Sequence, residues 1–250
     1  MTAYDDVAEV YDSSRGGESR GDVFAGELDH RLPAGEGPVL EVGVGTGVVA
    51  LGLRRRGREV IGVDVAAAML ARARARLGPV VVRADARRLP FADASIPCAV
   101  SVWVAHAVEP PEAMFAEVAR VLSPGGRYLV CPTNRVLAGD PIEPILAAMF
   151  ARAEQRHPSW RPSHVAAADL VRWGEESGFA AGVESFTRCW TATATEQERW
   201  IHDRVWPALR GLDDDDFRQA TEPALEALAS LPEGEIERCA ATDIVVLRLP

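Results

Sequence analysis

A short apolar run near residue 40 leads into three glycines that are spaced two residues apart. Val39–Val42 is typical of the end of a buried parallel strand, and Val48–Arg55 predicts the helix that follows. The turn between them contains Gly43, Gly45 and Gly47. Glycine lets the backbone turn tightly and approach a ligand closely, because a Cβ there would clash. We therefore expect a nucleotide site at the first strand-to-helix turn of an open α/β sheet, where the free N–H groups of the helix face the ligand.

The glycine spacing distinguishes this turn from two phosphate-binding turns. The dinucleotide fingerprint requires its last glycine one position later, where this chain has Val48. The Walker pattern requires Gly-Lys-Ser/Thr, and the chain contains no lysine. The spacing therefore favours an adenosyl ligand without a pyrophosphate. A purely structural tight turn stays open as an alternative.

An acidic residue ends the second predicted strand, Arg58–Asp64. Asp64 lies about 20 residues after the first glycine, the spacing at which a carboxylate at a strand tip reaches a ribose diol. Two hydroxyl donors to one carboxylate make a strong, charge-assisted pair. The alternative is that Asp64 is the N-cap of the predicted helix Ala66–Leu77. The glycine turn upstream favours ribose binding.

Four motifs in order resemble the class I S-adenosylmethionine-dependent methyltransferases, and the resemblance covers Val39–Pro132. The motif-bearing segments are Glu41–Gly47, Val63–Leu70, Ala84–Phe91 and Leu122–Gly126. The resemblance implies a Rossmann-like open twisted sheet of seven strands, mostly parallel with an antiparallel last strand and with helices on both faces. It also implies S-adenosyl-L-methionine as cofactor and S-adenosyl-L-homocysteine as product. The chain departs from the family pattern at Ile96-Pro97-Cys98, where many relatives have an aspartate.

The resemblance implies roles for residues of the first three motifs. Glu41 would orient the methionine ammonium, with local backbone bonding as its alternative role. Asp85 would accept a hydrogen bond from the adenine amino group, while the Ala86 N–H would donate to a ring nitrogen. Val65 and Met69 would pack against the adenine ring. The alternatives are a turn role for Asp85 and ordinary core packing for Met69.

The fourth strand is predicted at Ala99–His106, and its end would face the cofactor. Ser101 and Trp103 fall where the resemblance places the sulfonium, and an aromatic face can contact a cation. His106 is the candidate general base, because the pKa of histidine suits proton removal near neutral pH. Two alternatives stay open. Trp103 packs in the core, and His106 lies at a helix start or in a loop and has no catalytic role.

The N-terminal segment Tyr4–Gly16 resembles the part of the family that folds over the cofactor. On that resemblance Tyr11 and Arg15 contact the cofactor, Arg15 through the methionine carboxylate. The alternative is a solvated helix end. We expect residues 1–30 to form cofactor-covering helices and residues 39–132 to form the cofactor-binding core, built from five βα-type units.

The C-terminal half predicts two helical insertions, residues 139–160 and 195–231, that together form a substrate lid. Each has an apolar stripe, which is more often plain core than substrate wall. The acidic run Asp213–Asp216 predicts a solvated turn or a helix cap, or less readily a lid that favours cationic substrates. The remaining predicted elements are a helix at His164–Gly178 and two last strands at Gly182–Thr193 and Ala241–Leu249.

Composition agrees with a single enzyme domain. The chain has 250 residues, 48% of them hydrophobic, and a formal net charge of −10. The negative charge argues against a nucleic-acid partner. No apolar run is long enough to span a bilayer and no signal peptide is evident, so we expect a cytoplasmic protein without a membrane partner. We expect a monomer or a homodimer.

The four cysteines are scattered, with no pair at metal-ligand spacing along the sequence. They are Cys98, Cys131, Cys189 and Cys239. This pattern predicts reduced thiols and no metal site.

These observations predict S-adenosylmethionine-dependent methyl transfer to an O or N nucleophile of a small molecule, with a secondary metabolite as the favoured class. The large apolar insertions motivate the small-molecule acceptor. Three alternatives stay open: a non-methylating enzyme of the same fold, a non-catalytic cofactor-binding member, and a nicotinamide-dependent oxidoreductase. Val48 and Asp85 both argue against the last of these.

Overall fold

The computed structural model describes residues 8–35, 37–132, 134–157 and 165–250, with the backbone alone at residues 9, 10 and 14. The chain divides into two compact units. Unit 1 comprises Met1–Thr133, His164–Phe186 and Thr242–Pro250, and unit 2 comprises Asn134–Ser163 and Thr187–Ala241. Three parts of the predicted segments lie outside the described residues: residues 1–7, residues 158–160 and His164.

A mixed sheet of eight strands has the order β3-β2-β1-β4-β5-β8-β6, and β7 pairs with β8. The strands are β1 Val39–Val42, β2 Val60–Asp64, β3 Val81–Arg83, β4 Ile96–Val102, β5 Leu122–Cys131, β6 Arg135–Val136, β7 Ala180–Ala192 and β8 Ile236–Arg248. Strands β1 to β5 are parallel, whereas β8 runs antiparallel to β5 and β6. The predicted sheet class is confirmed, with the short β6 as an additional strand. The strand order reverses direction between β1 and β4, the position at which open α/β sheets bind ligands.

Ten α-helices and one 3₁₀ turn are present among the described residues. The helices are α1 Ala8–Ser14, α2 Gly17–Asp29, α3 Val48–Arg55, α4 Ala67–Leu77, α5 Pro111–Val121, α6 Glu143–Arg156, α7 Ala167–Glu176, α8 Ala194–His202, α9 Pro207–Arg210 and α10 Asp214–Ala229. The 3₁₀ turn is Ala105–Ala107. No described helix combines the length and the apolar character that crossing a bilayer requires.

The local predictions around the glycine turn are confirmed, and those after β3 are partly wrong. α3 has the predicted bounds, and β1 ends at Val42, directly before the first glycine of the turn, as predicted. The connection from β3 to β4 contains no helix, so the five predicted βα units lack one helix. Its turn is instead closed by an isolated bridge between Asp85 and Arg88. The predicted fourth strand is shifted: it begins at Ile96 and ends at Val102, because Trp103 adopts a positive φ of 58°.

The predicted turn Leu122–Gly126 is part of β5. Leu122 pairs with Ile96, and the register then shifts before Cys98 pairs with Arg127. A shift of this kind is a β-bulge, and Gly125 has the positive φ of 75° that glycine accommodates within it.

The core of unit 1 lies on both faces of its parallel strands. One face packs Phe24, Leu28 and Leu53 from α2 and α3, and the other packs Phe115 and Leu170 from α5 and α7. All four residues of β1 are buried, as expected for a central strand covered on both faces.

Unit 2 is built around its own apolar cluster. Six residues of the two predicted stripes are buried in it: Ile142, Leu146, Met149, Ile201, Leu209 and Leu212. These side chains therefore form core, which was the alternative to a substrate wall. Asp213 caps α10 through its Oδ1, which accepts from the N–H groups of Asp215 and Asp216 at 3.0 and 2.9 Å. The acidic run is thus a helix cap, while a lid function of the insertions stays a prediction.

The expectation of four reduced thiols is wrong. Cys189 of β7 and Cys239 of β8 form a disulfide, although 50 residues separate them in the sequence. Neighbouring strands bring the two together, and such pairing is invisible to sequence spacing. Cys98 and Cys131 are buried free thiols.

Candidate active site

The glycine turn has the backbone that its sequence predicts. Gly43, Gly45 and Gly47 all have positive φ, at 75°, 53° and 82°. A Cβ at Gly43 would lie 2.3 Å from Cγ2 of Val104, so this position requires glycine for space as well as for conformation. A Cβ at Gly45 would meet no atom within 4 Å. Gly45 therefore borders open space, where a ligand can approach the backbone.

Asp64 is oriented by two backbone donors at the tip of β2. Its Oδ2 accepts from the Gly45 N–H at 2.8 Å, and its Oδ1 accepts from the Ala66 N–H at 2.8 Å. The N-cap position of α4 is Ala66, so Asp64 is not the N-cap. Asp64 therefore links the glycine turn to the start of α4 at the edge of the cavity.

A cavity of about 320 Å³ opens at the carboxyl ends of β1, β2 and β4. This volume lies at the lower end of the range usual for small-molecule sites. The lining residues are Tyr11, Gly43, Gly45, Val63, Asp64, Val65, Met69, Ala84, Asp85, Ala86, Arg87, Val102, Trp103, Val104, Ala107, Val108 and Glu109. All belong to unit 1.

The cavity brings together most of the residues that the sequence singled out. Nine of them line it: Tyr11, Gly43, Gly45, Asp64, Val65, Met69, Asp85, Ala86 and Trp103. Five others do not appear in its wall: Arg15, Glu41, Gly47, Ser101 and His106. The first group comes from five separate segments of the chain, which only the fold brings together.

Asp85 is held by an arginine side chain. The Arg87 guanidinium donates to both carboxylate oxygens, with Nη2 2.7 Å from Oδ2 and Nε 3.0 Å from Oδ1. Arg87 also donates to the carbonyl of Glu109 at 2.5 Å. Hydrogen bonds from Arg87 hold the pKa of Asp85 below its ordinary value, so the carboxylate is ionised at neutral pH. Sequence reasoning missed Arg87 and Glu109, although Arg87 lies within the third motif.

Trp103 contributes to the wall from an unusual backbone conformation. Its φ is positive, and the Phe24 ring lies edge-on at 5.1 Å between centroids. The Arg20 guanidinium lies 4.2 Å from the centre of the indole ring, so a cation already occupies one face. The indole Nε1 is buried and has no hydrogen-bond partner in the described part of the chain. The indole N–H is therefore an unsatisfied donor that is buried away from the cavity surface.

Glu41 lies inside the sheet and not on the cavity wall. It is 3% exposed, and burial raises its pKa to about 8. The Ala50 N–H donates to it, whereas Oε2 has no partner among the described residues. At neutral pH the carboxyl group is therefore mostly protonated. Its predicted role at the methionine ammonium stays a prediction that the static structure does not favour.

Ser101 and Gly47 have structural contacts. The Ser101 hydroxyl donates to the Val42 carbonyl at 3.1 Å and shares a 2.8 Å hydrogen bond with the Tyr128 hydroxyl. Gly47 is the N-cap of α3, and a Cβ there would lie 2.8 Å from Leu77. Neither residue lines the cavity.

His106 and Arg15 lie near the cavity but do not line it. His106 is in the 3₁₀ turn, where burial lowers its pKa and the positive charge of Arg15 lowers it further. The imidazole is therefore neutral at pH 7, as a base must be. Arg15 lies over the Tyr11 ring, 4.9 Å from its centre.

The N-terminal helix is tied to the glycine turn by an ion network that sequence reasoning missed. Asp12 accepts from the Thr46 hydroxyl at 2.5 Å and from Arg76 Nη2 at 2.9 Å. Arg76 also donates to the Thr46 carbonyl and pairs with Glu18 at 3.5 Å. The network holds α1 where Tyr11 forms part of the cavity wall. Asp12, Thr46 and Arg76 are far apart in sequence, so no local pattern predicts the contact.

Comparison with known proteins agrees with this geometry. Residues 40–130 match the model of the methyltransferase domain family. A demethylmenaquinone methyltransferase of Mycobacterium sp. (strain KMS) is 32% identical over 207 residues, which cover 79% of this chain and 85% of that protein.

Two solved structures share the fold. The [4+2]-cyclase SpnF has a TM-score of 0.59 at 20% identity, and the match covers 99% of this chain and 93% of that one. A phosphoethanolamine N-methyltransferase 2 of Haemonchus contortus, solved with phosphomonomethylethanolamine and S-adenosylhomocysteine, has a TM-score of 0.53 at 18% identity and covers 94% of this chain and 53% of that one. At these identities the likeness concerns the fold alone.

The curated relative covers most of both chains, and the family model matches the segment that builds the cavity. The strand order, the glycine turn and the acid at the tip of β2 are those of the same family. This chain is a methyltransferase and belongs to the class I S-adenosylmethionine-dependent methyltransferases.

Proposed function

We propose that this chain binds S-adenosyl-L-methionine in the cavity at the ends of β1, β2 and β4 and methylates an O or N atom of a small molecule. The observation that carries the proposal is the pairing of Gly45 with Asp64. A ligand can approach the backbone at Gly45, and the carboxylate beside it is already oriented by two N–H groups. An acceptor so placed suits a ribose diol.

The other wall residues fit the remaining parts of the cofactor. Val65 and Met69 offer apolar contact for the adenine ring, and Asp85 with the Ala86 N–H offers one acceptor and one donor for its edge. Trp103 adds a side chain to the same wall. Together these groups match a ligand with an apolar base beside a ribose.

Methyl transfer by this family uses the electrophilic methyl group of the sulfonium. The contribution of the chain is to bind, to orient and to exclude water. The described wall contains no histidine, and His106 is not part of it. We therefore expect an acceptor that needs little help in losing its proton, such as an amine or an acidic hydroxyl.

A second candidate acceptor is a quinol carbon, because the 32% identical relative is named a demethylmenaquinone methyltransferase. One assay separates the two. Purified protein would be incubated with methyl-labelled S-adenosylmethionine and, separately, with a panel of amines, a panel of phenols, and demethylmenaquinone kept reduced.

Label in an amine or a phenol product, located by fragmentation to N or O, supports the proposal. Label on the quinone ring carbon alone would replace it with the second candidate. A product of unchanged formula would indicate the non-methylating alternative. Turnover of none of these, with cofactor bound, would favour the non-catalytic alternative.

Cofactor binding is tested first by calorimetric titration with S-adenosylmethionine, S-adenosylhomocysteine and NADH. We expect micromolar binding of both adenosyl ligands and none of NADH. Asp64→Ala should weaken that binding, whereas Asp93→Ala should not, because Asp93 is an exposed acid outside the cavity. Equal affinity of wild type and Asp64→Ala would overturn the proposed site.

A further inference from the structure

Three potential metal ligands meet on one face of two paired strands in unit 2. Glu237 and Cys239 are two residues apart on β8, so their side chains point to the same face, while Arg238 between them points to the other. Cys189 lies on the neighbouring strand β7 and is joined to Cys239. Because side chains alternate along a strand, the two sulfurs and the Glu237 carboxylate share one face and Arg238 lies on the other.

The opposite face carries the positive charge. Arg238 donates to Asp140 at 2.6 Å and to Glu143 at 3.0 Å, and both Arg238 and Arg188 lie over the Trp190 ring. The guanidinium of Arg238 is thus committed to two carboxylates. A cation on the face that holds the sulfurs would not have to displace it.

The donor atoms are close enough to bind one ion. The two Sγ atoms and a carboxylate oxygen of Glu237 all lie within 4.8 Å of one another. Tetrahedral Zn²⁺, with Zn–S of about 2.3 Å and Zn–O of about 2.0 Å, requires donor atoms roughly 3.5–3.8 Å apart. Cys189 and Glu237 are exposed, so an ion has access from solvent.

The other two cysteines cannot do this chemistry. Burial raises the pKa of Cys131 to about 12 and raises that of Cys98 above its ordinary value. Thiolate is the form that binds metals and exchanges with disulfides. Among the four cysteines, redox and metal chemistry is therefore confined to the pair on β7 and β8.

We propose that Cys189, Cys239 and Glu237 form a redox-gated site for a thiophilic divalent cation such as Zn²⁺. In the oxidised chain the sulfurs are bonded to each other and bind no metal. A dithiol reductant supplies two electrons and two protons, the S–S bond breaks, and the dithiol closes to its own cyclic disulfide. The two thiols then release their protons as the cation binds, with the Glu237 carboxylate as third ligand and water as the fourth.

The test uses Co²⁺ as an optical probe, because thiolate ligands give it a charge-transfer absorption band. The full chain is reduced with dithiothreitol, freed of it without oxygen, and titrated with Co²⁺ and then with Zn²⁺. We expect one equivalent of Co²⁺ with a thiolate band that Zn²⁺ displaces, and a higher unfolding temperature when Zn²⁺ is present. The untreated, disulfide-bonded chain should show neither effect.

Matched variants assign the ligands. Cys189→Ser and Cys239→Ser should each abolish the band of Co²⁺ bound by two thiolates. Cys98→Ala removes a thiol elsewhere in the chain and should leave the band intact. Glu237→Gln should keep the band and weaken binding by roughly tenfold or more, since even indirect partners of metal sites contribute that much. The oxidised wild type is a control that needs no substitution.

The proposal is overturned if the reduced chain binds no stoichiometric Co²⁺, if the oxidised chain binds it equally, or if the band survives both serine variants. Unchanged affinity in Glu237→Gln would remove the carboxylate from the site and overturn the three-ligand assignment. None of these results depends on the acceptor or on cofactor binding, so the proposed function can fail or hold independently.

Discussion

Asp64 and Asp85 line the same cavity at the ends of neighbouring strands, but different groups hold them. Two backbone N–H groups orient Asp64, and these belong to the glycine turn and to the start of α4. Asp85 accepts one backbone N–H, from Arg87 at 2.9 Å, and its remaining contacts come from the Arg87 guanidinium, on a long and exposed side chain that can move. The difference distinguishes an acceptor that backbone groups orient at both oxygens from one that a backbone group orients at one oxygen and a side-chain rotamer engages at both. We expect the first to contribute more to ligand binding, because its orientation costs nothing further on binding.

A third acid, Glu41, sharpens the comparison because it lies behind the cavity wall. Its pKa is about 8 in the folded chain against an ordinary value of 4.5, and burial is the main cause. Between these values the unfolded chain releases a proton that the folded chain keeps, so folded-state stability falls as pH rises. Glu41→Gln removes this loss. We expect the variant to gain up to about 5 kcal/mol in unfolding free energy over wild type between pH 4.5 and pH 8.5.

Denaturant unfolding at several pH values checks this prediction, with the exposed Glu226→Gln as control. Parallel pH profiles of wild type and Glu41→Gln would show that Glu41 is ionised in the folded state. In that case its role at a ligand ammonium would regain support.

Asp64→Ala tests the acceptor that two backbone N–H groups orient. Loss of a charged acceptor should weaken S-adenosylmethionine binding by about 2 kcal/mol, which is roughly 30-fold. The substitution also leaves the Gly45 and Ala66 N–H groups without their acceptor, so a moderate loss of stability should accompany it. Calorimetry on variants shown by circular dichroism to be folded measures the effect. Asp64→Asn, which keeps one oxygen, should fall between wild type and alanine; a folded alanine variant with wild-type affinity would mean that Asp64 is structural.

Arg87→Ala tests Asp85, the acceptor that the Arg87 side chain engages. Removing the guanidinium frees the Asp85 carboxylate for a ligand amino group, and exposed ion pairs are worth at most about 1 kcal/mol. We expect adenosyl ligands to bind up to about fivefold more tightly, with Arg87→Lys closer to wild type. Weaker binding in Arg87→Ala would mean instead that Arg87 contacts the ligand itself.

A small effect is also expected at His106. A positioned general base contributes roughly 100- to 10,000-fold to a rate. Because the His106 imidazole is outside the cavity wall, we expect His106→Ala to lower kcat less than about tenfold with whichever acceptor the label-transfer assay identifies. A loss of 100-fold or more, with cofactor affinity intact, would make His106 the base and show that the wall rearranges when substrate binds.

The parts of the site that could be predicted are those encoded by local sequence. Gly43 and Gly45 stand out because few residues tolerate their backbone, and Asp64 stands out because it ends an apolar strand. The roles of Glu41 and Ser101 could not be judged in this way. Both lie on predicted strands, and only packing decides that Ser101 bonds to Tyr128 and that Glu41 faces α3.

Contacts between distant segments were missed for the same reason. The Asp12, Thr46 and Arg76 network joins three segments, and the Cys189–Cys239 bridge joins two strands that lie 50 residues apart in sequence. No periodicity or spacing predicts either, because the partners become neighbours only when the chain folds. The missing helix after β3 is a local failure, since the turn closed by Asp85 and Arg88 replaced it.

The sequence alone determined the strand, the glycine turn and the helix that open the site, because conformational limits at glycine and apolar periodicity act within a few residues. It also determined the family, through four motifs in order. Only the tertiary structure decided which of the predicted polar residues reach the cavity, which are buried behind it, and which cysteines meet. Those outcomes depend on burial and on neighbours from other strands, and both arise only when the sheet has assembled.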